Sequence, residues 1–189
     1  MFFIKQVDNF LSKEECDLIL SKYKETELQT GFIGNHTEAD STESLKKLKL
    51  TRDSQITFFP IDDIAERILN IIQKEIPMKG FEFSKLNNFQ FTKYGLGGHY
   101  DWHVDSNSNV ANGRYYSIVI PLNVDYGNGE LLCKDLNDNV ITLEKKVGNM
   151  HVFSSTLLHK VTNVTYGVRY SLVTWLSLEK IKDFKKSLI

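Results

Sequence analysis

Residues 98–106 read GHYDWHVDS, a histidine and an aspartate two positions apart just after a glycine-rich turn, in a chain with five histidines. On a β-strand, residues i and i+2 point to the same face. His103 and Asp105 would then aim an imidazole and a carboxylate at one point, and a metal ion suits such a pair. Two ligands do not make a site, so the rest of the chain has to supply a third. His99, His151 and His159 are the candidates, while His36 stands alone in a polar segment. His99 lies four residues before His103, an even spacing that would also put it on the ligand face.

Outward from this stretch the texture is that of strands. From Phe81 on, short runs rich in Phe, Tyr, Val, Ile and Thr alternate with glycine- and asparagine-rich turns. NNFQFTKY (87–94), RYYSIVIPLNV (114–124), NMHVF (149–153), LLHKVTNV (157–164) and VRYSLVTWLSL (168–178) all read as strands. Before Phe81 the period is helical. FLSKEECDLILSKYKE (10–25) carries a capping box at Ser12 and Glu15, with Cys16, Ile19, Leu20 and Tyr23 on one face. A second helix is expected from Ile61 to Glu75, with Pro77 ending it. Helices first and many strands after predict a mainly β, α+β fold: an antiparallel barrel or sandwich braced by N-terminal helices.

Composition narrows the function. The chain has 189 residues, which suits one domain, and its net charge is −1, so no basic field calls for nucleic acid. Cys16 and Cys133 are too far apart for a CxxC pair, and the opening MFFIKQVDNF has neither a signal-peptide pattern nor a membrane-length apolar run. The expectation is a cytoplasmic protein. The polar segment from about Leu28 to Leu50 is long for a connector in a domain of this size and reads as a lid over a site or, equally, as a surface loop.

Ten residues after His159 stands Arg169, with Ser171 two further on. On a strand the two share a face, where a guanidinium and a hydroxyl can clamp one carboxylate. Two His and one Asp form the facial triad of non-haem Fe(II) oxygenases, which leaves three coordination positions open. A structural zinc site would instead close its tetrahedron with Cys or His, and both cysteines are misplaced for that. A zinc hydrolase could share the triad but has no need of Arg169 and Ser171. The arginine makes sense as the holder of the far carboxylate of a 2-oxo diacid whose near end chelates iron. Asn88, Gln90, Thr92 and Tyr94 alternate with apolar or charged neighbours, which places four polar groups on one strand face and suits a wet barrel interior.

On these residues the chain resembles the Fe(II)- and 2-oxoglutarate-dependent dioxygenases, and within them the prolyl 4-hydroxylase-like branch. VDNFLSKEECDLI (7–19), FQFTKYGLGGHYDWHVDS (89–106), YGNGELL (126–132) and VGNMHVFSSTLLHKVTNVTYGVRYSLVTW (147–175) carry the resemblance, with Asn128 where the family often has Gly. The resemblance implies a double-stranded β-helix, or jelly roll, with one catalytic domain across 1–189: helical to about 80 and a β-barrel over about 81–180. It implies His103, Asp105 and His159 as the iron ligands. It further implies Arg169, with Ser171, as the anchor of 2-oxoglutarate, and Tyr94 and Gln90 in the cosubstrate pocket. Arg52 and Trp102 become candidate substrate contacts, although Trp102 also reads as a packing aromatic and Arg52 as half of a surface ion pair with Asp53.

The implied reaction is hydroxylation of an unactivated C–H bond with Fe(II), 2-oxoglutarate and O2, releasing succinate and CO2. Ascorbate is a further cofactor the resemblance suggests. A prolyl residue in a peptide or protein is the expected substrate, and a free amino acid or small metabolite is the alternative. No nucleic acid or membrane partner is expected. The nucleic-acid demethylases of the superfamily carry a second Arg six residues after the first, where this chain has Trp175. Halogenases lack the carboxylate ligand that Asp105 would supply.

Overall fold

Ser12 and Glu15 cap the first helix reciprocally, as the sequence predicts. The Glu15 amide donates to the Ser12 hydroxyl at 3.2 Å and the Ser12 amide donates to the Glu15 carboxylate at 2.8 Å. The computed structural model describes residues 2–31, 49–75, 81–86, 88–106 and 113–180. Most of the segment read as a lid, 32–48, lies outside them, as does Pro77. Helix α1 spans Lys13–Tyr23 and helix α2 spans Asp62–Glu75. The strands are β1 (Ile4–Val7), β2 (Gln29–Thr30), β3 (Arg52–Asp53), β4 (Gln55–Phe59), β5 (Phe81–Leu86), β6 (Phe89–Tyr94), β7 (His99–His103), β8 (Arg114–Pro121), β9 (Tyr126–Asn128), β10 (Leu131–Lys134), β11 (Val140–Thr142), β12 (Met150–Ser154), β13 (His159–Val161), β14 (Val164–Gly167) and β15 (Arg169–Lys180).

The strands form two main antiparallel sheets. The larger runs β1-β12-β8-β15-β6-β4-β2, with β5 also on β15, and the smaller runs β11-β10-β13-β7-β3. β9 and β14 pair separately. This is the jelly-roll arrangement that the sequence texture and the resemblance predict.

Alternation along the large sheet sorts its side chains into two cores. On the outer face, Phe91, Ile118, Ile120, Met150, Leu172 and Leu176 meet Ile19 of α1 and Ile64, Ile68 and Ile72 of α2. The three α2 isoleucines recur every four residues, so one stripe of the helix is buried. On the inner face, Tyr94, Val119 and Phe153 face Leu131, Cys133 and Val161 of the small sheet. The polar inner residues Gln90, Thr92, Ser117, Arg169 and Ser171 share that interior and are all buried. β6 lies between β15 and β4, so its polar face is an interior one and not the face of an edge strand. Among the described residues no helix is long and apolar enough to cross a membrane.

Gly148 and Asn149 form the turn that fastens the N-terminal segment to the barrel. The Leu11 amide donates to the Gly148 carbonyl at 2.9 Å, the Asn9 amide donates to Asn149 Oδ1 at 3.0 Å, and Asn149 Nδ2 donates to Asp8 and Glu144. Gly148 has φ of 76°, and a Cβ there would sit 2.0 Å from the Leu11 carbonyl oxygen. Both the left-handed backbone and the close approach of a main-chain atom demand glycine. Gly148→Ala should therefore destabilise the fold by about 2 kcal/mol or more, read as a lowered denaturant midpoint, and an unchanged midpoint would show that the turn can reshape at no cost.

Candidate active site

His103 and His159 face each other across neighbouring strands, paired in register at the end of β7 and the start of β13. Each ring is oriented by its own backbone. His103 Nδ1 lies 2.7 Å from the Asp101 carbonyl oxygen, and His159 Nδ1 lies 2.9 Å from that of Leu157. A carbonyl only accepts, so both Nδ1 atoms carry hydrogen and both Nε2 atoms present lone pairs. Those lone pairs flank one carboxylate: His103 Nε2 is 3.6 Å from Asp105 Oδ1, and His159 Nε2 is 3.5 Å from Asp105 Oδ2. The ligand-type atoms of the three residues all lie within 4.8 Å of one another. Donors about 2.0–2.2 Å from a shared ion sit roughly 3 Å apart when adjacent, so the trio fits a metal with little movement. His103, Asp105 and His159 are thus brought together as the sequence predicts.

The route to that geometry differs from the simple strand reading. β7 ends at His103, so Asp105 lies beyond the strand. The register between β13 and β7 also shifts, with Val161 opposite Tyr100 and His159 opposite His103. The extra residue in β7 is a bulge, which puts Tyr100 on the His103 side. The two rings stack with centroids 3.4 Å apart and planes at 12°. His99 is turned away, its ring nitrogens 3.0 Å from the Gly97 carbonyl oxygen and 3.2 Å from that of Leu50. Even spacing therefore does not make His99 a ligand candidate. His151, on β12, lies apart from the trio.

Asp105 is held by contacts that the sequence did not show. Its Oδ2 accepts from the Ser117 hydroxyl at 2.6 Å and from the Trp175 indole N–H at 2.8 Å. The Asp105 and Ser106 amides both donate to the Ser155 carbonyl. Burial pushes the Asp105 carboxyl up, but the charges of His159 and His103 and the bonds from Ser117 and Trp175 outweigh it and keep the group below the usual carboxylate range. Burial, with the nearby His159, pushes the His103 imidazole down to about 4. At neutral pH the pair is an ionised carboxylate beside a neutral imidazole, the protonation states a cation needs.

The inner face of β15 carries Arg169 and Ser171 together. Arg169 Nη1 donates to Ser171 Oγ at 2.9 Å, and the guanidinium lies over the Tyr94 ring at 5.1 Å. Tyr94 is the cross-strand partner of Arg169, so the structure brings Arg169, Ser171 and Tyr94 to one place. Arg169 Nε has no hydrogen-bond partner among the described residues, which fits a guanidinium awaiting an anion. Gln90 sits elsewhere. It pairs with Val173, about 13 Å along β6 from Tyr94 at the usual strand rise, and its amide donates to Thr92. It lies toward Trp175 and the trio, away from Arg169.

Arg52 is buried. Its Nε donates to Ser54 at 2.8 Å and its guanidinium lies 4.6 Å from the Tyr100 ring centre, behind the ring that stacks on His103. Trp102 belongs to neither apolar core. It is half-buried beneath the Lys134 and Lys160 ammonium groups, at 5.3 and 5.4 Å.

Comparison with known proteins agrees with this geometry. The family profile described as the 2OG-Fe(II) oxygenase superfamily matches residues 89–177. A PKHD-type hydroxylase of Prochlorococcus marinus (strain MIT 9515) is 30% identical over 176 residues, covering 88% of this chain and 74% of the relative. Another, from strain MIT 9211, is 28% identical over 176 residues, covering 90% and 76%. Among solved structures, a prolyl-4-hydroxylase from Pseudomonas putida aligns with a TM-score of 0.71 at 18% identity over 94% of both chains. A prolyl hydroxylase from Trichoplax adhaerens, in complex with a peptide fragment of the hypoxia inducible factor oxygen degradation domain, aligns with a TM-score of 0.72 at 16% identity. It covers 92% of this chain and 83% of that one. At such identities the two structures share the fold.

The indole bond to Asp105 can be removed without removing a ring. Trp175→Phe should keep the fold while lowering affinity for a divalent cation by about 10- to 100-fold, the usual effect of losing a group that orients a ligand. Calorimetric titration with Co(II) or Mn(II) reads this directly, and wild-type affinity in the variant would mean that Ser117 alone holds the carboxylate.

Proposed function

This chain belongs to the 2OG-Fe(II) oxygenase superfamily, and we propose that it hydroxylates an unactivated C–H bond of a prolyl residue in a peptide or protein, with 2-oxoglutarate consumed to succinate and CO2. The observation that carries the reading is the convergence of two Nε2 lone pairs and one ionised carboxylate in an interior that also holds an anion-seeking arginine. His103, Asp105 and His159 would hold Fe(II), and Arg169 with Ser171 would hold the distal carboxylate of 2-oxoglutarate beside Tyr94. Bound iron would supply the activation of dioxygen that turns C–H into C–OH.

The remaining work falls to the chain. Ser117 and Trp175 fix the plane of the Asp105 carboxylate, and the Asp101 and Leu157 carbonyls fix the imidazole tautomers. Tyr100, stacked on His103 and backed by Arg52, shields one side of that ligand. The aliphatic and aromatic lining from Val119, Leu131, Phe153 and Val161 keeps water from the interior between the trio and Arg169. The prolyl assignment draws on the peptide-bound neighbour of the same fold and on the PKHD-type relatives.

A screen of prolyl peptides against free amino acids, read as substrate-stimulated succinate release and a mass gain on the substrate, tests the assignment. Stimulation by prolyl peptides supports it, and stimulation by free amino acids alone replaces the peptide with a small molecule. Arg169→Ala should leave Fe(II) affinity nearly unchanged and weaken 2-oxoglutarate by about 30-fold or more, the loss of a charge-assisted pair worth on the order of 2–5 kcal/mol. Arg169→Lys should recover part of it, since charge returns without the planar fork. Unchanged 2-oxoglutarate affinity in Arg169→Ala would remove the anchor role.

A further inference from the structure

Among the described residues two buried side-chain nitrogens lack a hydrogen-bond partner, Arg169 Nε and His151 Nδ1. Both side chains line the same small cavity, with Tyr126, Leu131, Leu143 and Lys145 among its other walls. Arg169 already has an assigned partner in the distal carboxylate of 2-oxoglutarate. His151 has none. It is 1% exposed and projects inward from β12 beside the strand that carries Val119. Its Nε2 lies 2.9 Å from the Glu144 carbonyl oxygen. That carbonyl can only accept, so Nε2 carries the hydrogen and Nδ1 of the neutral ring is a bare acceptor. Buried polar atoms are nearly always satisfied, and exceptions concentrate where something else completes them.

We propose that His151 is a second contact for the distal carboxylate of 2-oxoglutarate, beside Arg169, and that its Nδ1 takes up a proton as the cosubstrate binds. The inference rests on the function proposed above. Only a protonated Nδ1 can donate to a carboxylate, so the contact and the proton arrive together. In the protein without ligand, burial holds the imidazole below its ordinary value, against the bond and charge of Glu144, with Arg169 reinforcing the burial and Asp8 opposing it. Glu130, Lys145 and Tyr126 complete the polar surroundings of the cavity. A carboxylate seated between His151 and Arg169 would cancel the guanidinium charge and add its own, which favours the imidazolium.

The sign follows. The ligand-free protein carries a neutral His151 at neutral pH, and the complex keeps the proton to higher pH. Affinity is therefore greatest on the acid side, falls as pH rises through the titration of the complex, and levels off beyond it. The two 2-oxoglutarate carboxyls titrate well below this range and do not contribute.

Calorimetric titration of 2-oxoglutarate into Mn(II)-loaded protein, from pH 6 to pH 8 in buffers of different ionisation enthalpy, measures affinity and proton uptake together. The expected result is net proton uptake and a Kd about fivefold or more larger at pH 8 than at pH 6. His151→Gln keeps an amide nitrogen for the Glu144 carbonyl but cannot titrate. It should bind Mn(II) normally, take up no proton, bind 2-oxoglutarate more weakly at pH 6 and converge with wild type at pH 8. Nitrogen NMR of the histidine rings gives a second readout that needs no substitution, with His151 changing from neutral to doubly protonated on adding 2-oxoglutarate. Normal binding with no uptake at His151, or a ring that stays neutral in the complex, overturns this inference alone. Wild-type protein that fails to bind 2-oxoglutarate overturns it together with the function above.

Discussion

One carboxylate ties the two sheets together, and the site depends on it. Asp105 follows the last residue of β7 in the small sheet, yet its Oδ2 is bonded to Ser117 on β8 and Trp175 on β15 in the large one. Its amide and that of Ser106 reach the Ser155 carbonyl beyond β12. Three parts of the large sheet thus fix the end of one strand of the small sheet. Burying an ionised carboxylate is costly unless charge and hydrogen bonds compensate it. Here the hydrogen bonds come from Ser117 and Trp175 of the large sheet while the carboxylate is carried by the small one, so the two cannot slide apart without exposing an unsatisfied anion.

β15 shows how closely fold and site are interwoven. Its outward residues Leu172 and Leu176 are in the core under the helices. Its inward residues include Arg169 and Ser171 near one end and Trp175 toward the other. The period-2 alternation of a strand lets one segment serve both purposes. The spacing from Arg169 to Trp175 spans about 20 Å of strand, so this strand also sets the distance between the buried guanidinium and the residues that hold Asp105. A register slip of one residue would turn Arg169 toward the helices and Leu172 toward the pocket. The apolar helix face therefore enforces the chemistry of the inner face.

Local features were legible in the sequence, and long-range ones were not. The capping box at Ser12 and Glu15, the isoleucine stripe of α2 and the shared face of Arg169 and Ser171 depend only on helical or strand periods. The trio itself was legible because His103 and Asp105 lie close in sequence and the Arg at plus ten singles out His159. The bulge in β7 was hidden, because bulges arise from pairing with a partner strand, and it removed His99 from the ligand face. That Ser117 and Trp175 hold Asp105 was not legible, since their partner lies 12 and 70 positions away. The burial of Arg52 was hidden for the same reason: the Tyr100 ring that covers it arrives only through the pairing of β3 with β7.

The proposed anchor role would explain why arginine stands at position 169. A cation that anchored a carboxylate there would have to stay charged while nearly removed from water, since Arg169 is 2% exposed. Guanidinium keeps its proton in protein interiors, and it is more weakly hydrated than ammonium, so its transfer costs less. Lys145, on the wall of the same cavity, shows the alternative: burial there pushes its ammonium below the ordinary value, despite the neighbouring Glu130. A lysine at position 169, deeper still, would face that penalty more strongly and would regain its full charge only with an anion beside it. Stacking on Tyr94 and the bond to Ser171 hold the guanidinium plane in advance of the anion. A guanidinium held in a fixed plane would lower the reorganisation needed if, as proposed, a dicarboxylate enters between it and a metal.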